Sequence, residues 1–121
     1  MSTLRTTTIA TANGATSVPV DTIINGSAKA WVNFNGTGAV AIRGSFNVTS
    51  IRDNDTGDYT VNFADALVNT DFNITVCGGV VIDNSNTIAR TTTSVSIRTF
   101  NPGATGSNPG DQVFISVSVF R

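Results

Sequence analysis

From Lys29 onward, apolar residues fall at every second position, the spacing that puts alternate side chains on opposite faces of a β-strand. Ala30, Val32 and Phe34 share one face of the first such segment, and Trp31 takes the other. Phe46 and Val48 then alternate with Asn47 and Thr49, while Ile51 breaks the parity, which predicts a bulge or a strand end near Thr49 and Ser50. Asp53-Asn-Asp-Thr-Gly57 is a turn by composition. Tyr59, Val61 and Phe63 alternate with Thr60 and Asn62 in a strand expected to pair back on the Phe46 strand as a hairpin.

Phe72, Ile74 and Val76 mark the next strand, stopped by Gly78 and Gly79, with a short continuation expected over residues 80–82. Val95, Ile97 and Thr99 mark another, and residues 101–110, with Pro102 and Pro109, read as a loop because proline cannot donate to a sheet ladder. The last strand carries Val113, Ile115, Val117 and Val119 on one face and Phe114 and Phe120 on the other. About seven strands with short turns and almost no helical periodicity predict an all-β fold, an antiparallel β-sandwich of jelly-roll-like form spanning residues 28–121. Residues 1–27 are rich in Thr, Ala and Ser, with Leu4, Ile9 and Val18 too scattered to define a periodic face, and are expected to form an extended N-terminal arm.

Two features of this pattern point to contacts outside the domain. Leaving Phe114 and Phe120 in water would cost about 1.5 to 3 kcal/mol each, so the second face of the last strand is expected either to lie inside its own domain or to meet a second subunit or the arm. Trp31 opposes the core-facing Ala30 and Val32, which makes it a candidate for a subunit interface. The expected contacts with other chains are Leu4, Ile9, Val18, Trp31, Phe114 and Phe120.

Composition narrows the chemistry. A chain of 121 residues suits one domain that buries about two thirds of its unfolded surface. Charged residues are only 12%, so Thr, Ser, Asn and Gly build the polar surface, and these types suit strands and turns. There is no His, no Glu and one lysine, Lys29. The commonest general base is thus missing, and neither a Ser-His-Asp nor a Cys-His arrangement can be assembled. Cys77 is the only soft metal ligand and is expected to be a small buried hydrophobe, so no zinc site, other metal site or cofactor is expected. The net charge of −1 and the scattered Arg residues give no footprint for nucleic acid. No apolar run approaches the roughly 20 residues that cross a bilayer, and no signal-peptide pattern opens the chain, so synthesis in a cytoplasm without membrane attachment is expected.

The stretch from Lys29 to Phe63 also resembles a module of virion structural proteins of tailed bacteriophages, including tail fibres and other surface proteins of phages of cyanobacteria and marine bacteria. The resemblance rests on Lys29-Ala-Trp-Val-Asn-Phe-Asn-Gly-Thr-Gly38, Ser45-Phe-Asn-Val48, the Asn/Asp/Gly turn, Gly57-Asp-Tyr-Thr-Val-Asn-Phe63 and a hydrophobic final strand ending in Phe120-Arg121. It covers roughly residues 28–121. The resemblance implies a virion surface location and, as is common among such proteins, a homotrimer whose partners are the major capsid protein or tail proteins.

Three functions compete for these residues. A small β-domain with an arm and an apolar strand suits a capsid decoration, or cement, protein that clamps neighbouring capsomers. Brevity favours it over a whole tail fibre, since the chain has neither a heptad pattern nor a repeat. A receptor-binding fibre tip is the alternative, binding host carbohydrate through the loop of residues 101–110 and the turns around Gly36 and Asp55, with Trp31 and Tyr59 as candidates to stack on a sugar ring and Asp53, Asp55 or Asp58 to accept hydroxyl bonds, although aromatic residues within strands are more often core. A polysaccharide-cleaving enzyme would need two Asp at a set separation, and no spacing singles out such a pair. The Asp53–Asp58 run looks like a calcium loop but lacks its closing Glu, the position falling on Ala64, so a hairpin turn is expected. Asn-X-Ser/Thr triplets at Asn25, Asn35, Asn47, Asn54 and Asn73 are read as unglycosylated.

Overall fold

The computed structural model describes residues 1–78, 89–101 and 108–121. The alternating segments form two antiparallel sheets, built from β3 (Ala28–Asn35), β4 (Ala41–Phe46), β5 (Val48–Asp55), β6 (Asp58–Phe63), β7 (Asn73–Cys77), β8 (Ser94–Arg98) and β9 (Ile115–Phe120). One sheet has the order β4-β3-β9-β7 and the other β5-β6-β8. Their inward faces share one core. Ala30, Val32 and Phe34 of β3 and Ile115, Val117 and Val119 of β9 meet Tyr59, Val61 and Phe63 of β6 and Val95 and Ile97 of β8. Phe34 and Tyr59 cross between the sheets edge to face, with ring centroids 5.3 Å apart. The predicted all-β, antiparallel architecture is present.

The hairpin assignment needs correction. Phe46 ends β4, which pairs with β3, and the strand that pairs with Tyr59 is β5. The two are separated by Asn47, whose backbone is left-handed at φ 53°. Asn tolerates that conformation better than most residues, and here it transfers the chain from one sheet to the other. Its side chain holds the crossing in place: Nδ2 donates to the carbonyls of Lys29 (3.0 Å) and Asp65 (3.2 Å), and Oδ1 accepts from the Asp65 amide (2.7 Å). Phe46 therefore points outward while Val48 packs against the core. The bulge expected at Thr49 and Ser50 is present as a register shift between Val48 and Ser50.

Two further expectations fail, one on parity and one at a strand end. Ile74 and Val76 pack inward on β7, so the next residue, Cys77, faces out and is exposed. Val113 lies ahead of β9, where the chain turns, and is exposed despite sharing parity with Ile115. The expected continuation over residues 80–82 and most of the expected loop, residues 102–107, lie outside the described residues.

The first 27 residues are not a plain extended arm. Thr8–Ala10 (β1) pairs with Ser17–Pro19 (β2), and Val20–Gly26 forms a short helix, α1. Thr11, Asn13 and Gly14 close the hairpin: the Gly14 amide bonds the Thr11 carbonyl at 2.8 Å, and Asn13 Oδ1 accepts from the Thr11 hydroxyl at 2.8 Å. The helix buries no residue, and β1 is exposed throughout. Lys29 anchors the helix at its base, because the ammonium group donates to the Ile24 carbonyl and to Ser27 Oγ (2.9 Å), where the C-terminal carbonyls would otherwise lack partners. A groove of about 470 Å³ separates this base from the sandwich, lined by Ile24, Lys29, Asn47, Leu67, Val68 and Arg121.

Candidate contact surface

The outward face of the four-stranded sheet is composed by register. Trp31 pairs with Phe46 on one side and Ser118 on the other, and Ser118 continues to Thr75. The next row runs Gly44, Asn33, Ser116 and Cys77. Phe114 stands at the entry to β9 on the same parity as Ser116 and Ser118. Trp31 is 42% exposed, Phe46 55% and Phe114 64%, large values for aromatic side chains in or beside strands. Hydroxyl and amide side chains fill the space between them.

Two of the three aromatic groups are positioned by their neighbours. Gly44 lies beside the indole: a Cβ there would sit 3.4 Å from Trp31 Cζ3, so the missing side chain lets the ring lie close to the sheet. Arg43 covers one side of Phe114, its guanidinium 4.2 Å from the ring centroid, and donates to the Val113 carbonyl at 2.7 Å. Asn33 Nδ2 donates to Ser116 Oγ at 2.8 Å, which stiffens the polar rows between β3 and β9.

The expected contact residues divide accordingly. Trp31 and Phe114 share this face and are exposed, and the pattern missed Phe46 because it was assigned to the core parity of Val48. Phe120 is partly buried at the end of β9, opposite Ala28 and Asn73. Leu4 and Ile9 are exposed on the N-terminal segment, and Val18 is partly covered.

Tyr59 does not belong to a sugar-stacking surface, since it is fully buried. Its hydroxyl donates to Asp111 Oδ1 at 2.6 Å, with the Gly36 carbonyl 3.1 Å away, and the same carboxylate oxygen accepts from the Gly57 amide at 2.8 Å. Burial, and then the Asp111 carboxylate, raise the Tyr59 phenol well above its ordinary value. The group is therefore a neutral structural tie joining three connections at one end of the sandwich. In the Asp53–Asp58 run, Asn54 Nδ2 donates to Asp58 Oδ1 at 3.0 Å, Asp55 Oδ1 accepts from the Thr56 amide at 2.7 Å and Asp58 pairs with Arg98 at 3.3 Å, the arrangement of a hairpin turn.

Among the described residues, no group of three or more His, Cys, Asp or Glu could hold a metal ion, and no helix is long and apolar enough to cross a membrane. A scan against protein-family models matches none of them, and searches of curated proteins and of solved structures return no match.

Proposed function

We propose that this protein is a non-enzymatic structural protein of a tailed-bacteriophage virion, a decoration protein that sits on the capsid surface as a homo-oligomer. The observation that carries the reading is the uncovered aromatic face of Trp31, Phe46 and Phe114 on an otherwise well-packed sandwich. A small domain that exposes such a face has a partner for it. The N-terminal hairpin and helix, which bury nothing on their own, supply the second element a clamp between neighbouring subunits needs. The phage-like motifs from Lys29 to Phe63 give the reading its biological setting. In this account the face and arm contact other copies and the major capsid protein, at the surface of a particle assembled in the host cytoplasm.

One observation favours a second reading, a fibre-tip module that binds host carbohydrate. The indole of Trp31 lies near Gly44 among Ser, Thr and Asn side chains, a setting in which the apolar side of a sugar ring could stack. Cryo-electron microscopy of the intact phage separates the two. Density for this domain at regular positions on the capsid lattice is the expected result. Density confined to the tail transfers the protein to adhesion, and absence from the particle refutes both readings.

A further inference from the structure

Two apolar surfaces of this chain are uncovered, and they sit on opposite sides of one joint. On the N-terminal side are Leu4, Ile9, Ile23 and Ile24, all exposed. On the other side are Trp31 and Phe46 of the four-stranded sheet. The joint is Gly26–Ser27, immediately before Ala28 opens β3, so Trp31 lies only a few residues beyond it.

We propose that the hairpin and helix of one copy lie on the Trp31–Phe46 face of a second copy, an arm exchange that covers both surfaces at once; this rests on the homo-oligomeric part of the function proposed above. A two-stranded hairpin that among the described residues has no third strand and fully buries no side chain is marginal in water, as is a seven-residue helix with no buried residue, so both need an external partner. The chain's own face does not serve. Lys29 holds the helix by its C-terminal carbonyls, and Ile24 lines the groove at the foot of the sandwich with Leu67, Val68 and Arg121, a lining that includes neither Trp31 nor Phe46.

Charge supports a second copy as occupant. The segment carries just two charged side chains, Arg5 and Asp21, and among the described residues the charged groups on the strands nearest Trp31 and Phe46 are Arg43, engaged with Phe114 and the Val113 carbonyl, and Lys29, engaged with the Ile24 carbonyl and Ser27 Oγ. Two nearly neutral surfaces dotted with Thr, Ser and Asn can meet without burying an unpaired charge. Symmetry then follows from the geometry. Because arm and face are different patches, the exchange closes either reciprocally in a two-fold dimer or around a ring such as a trimer, or else propagates as a filament.

The test uses the full-length chain with Phe46 replaced by the photo-crosslinking residue p-benzoylphenylalanine, which preserves an aromatic side chain at the centre of the face. Isotope-labelled and unlabelled copies are mixed, irradiated and digested with trypsin, and the captured peptide is identified by mass spectrometry. Exchange gives a mixed-isotope adduct to the peptides ending at Arg5 or Lys29. Capture of those peptides from the same copy overturns the proposal by showing that each arm folds back on its own sheet. Capture of a sandwich peptide from the second copy overturns it in favour of face-to-face pairing. No adduct at micromolar protein overturns it as well, and leaves the face to a capsid protein or a host glycan. Because the reading comes from purified protein, it is independent of where the domain sits on a particle.

Discussion

At the scale of single residues, the fold depends on a few polar atoms placed where no alternation pattern would find them. Period-2 parity puts Tyr59 in the core, but its partner Asp111 is 52 positions away, and sequence spacing carries no information about that pairing. The tie has a measurable pH signature. The folded protein holds the Tyr59 proton more tightly than the unfolded chain, in which tyrosine ionises near pH 10, so this contribution to stability is complete below about pH 10 and is lost as pH rises further. Urea denaturation is expected to show falling stability above that pH, with the sole tyrosine ionising only as the protein unfolds; a flat profile, or phenolate absorbance appearing in the native state, contradicts the assignment. Tyr59→Phe leaves Asp111 short of a donor and is expected to cost about 1 to 3 kcal/mol at neutral pH by the same assay. Gly36→Ala tests the same place sterically. A Cβ at Gly36 would stand 2.8 Å from Tyr59 Cζ and 2.9 Å from Ile115 Cδ1, and crowding of that kind typically costs about 1 to 3 kcal/mol.

At the scale of elements, strands whose inward positions are uninterrupted aliphatic and aromatic residues were legible in the sequence. Residues 30–34, 59–63 and 115–119 alternate without interruption and lie at the centres of their sheets. What was not legible is where one strand stops and another begins when parity happens to run through the boundary. Phe46 and Val48 are two apart, as in a single strand, yet they belong to different sheets because Asn47 takes up a positive φ. The N-terminal hairpin was missed for a related reason: Asn13-Gly14 is a turn signal, but the strands on either side are three residues long and have no apolar face to reveal them. Asn47→Ala removes the side-chain bonds that hold the crossing and leaves a strained backbone, an expected loss of about 2 to 4 kcal/mol by chemical denaturation. Asn47→Gly relieves the strain alone and is expected to lose less; equal losses would show that the conformation at Asn47 costs nothing. Lys29→Met should free helix α1 without unfolding the sandwich, seen as faster amide exchange over residues 20–26 with unchanged exchange over β3, β6 and β9.

At the scale of the whole molecule, the two sheets resolve the question left by the pattern of the final strand. Its valine and isoleucine face fills the core, while Phe114 remains outside, on the same side of the sheet as the Trp31–Phe46 pair and one row of small polar residues beyond it. Trp31 was legible as an outward residue and Phe46 was not, and only the pairing of β3 with β4 places them side by side. A residue exposed in the single chain contributes little to its folding, so Trp31→Ala is expected to change unfolding free energy by less than about 1 kcal/mol while weakening self-association.

The central claim is that this face is covered by other copies, and the protein contains its own reporter, because Trp31 is the sole tryptophan. The most direct measurement is its fluorescence across a dilution series of the full-length protein, recorded beside sedimentation velocity on the same samples. The account predicts that emission moves to shorter wavelength, and becomes resistant to quenching by iodide, over the same concentration range in which the sedimentation coefficient rises. A sedimentation coefficient that rises while Trp31 stays red-shifted and fully quenchable would place the interface elsewhere. A monomer at every concentration would contradict the claim outright.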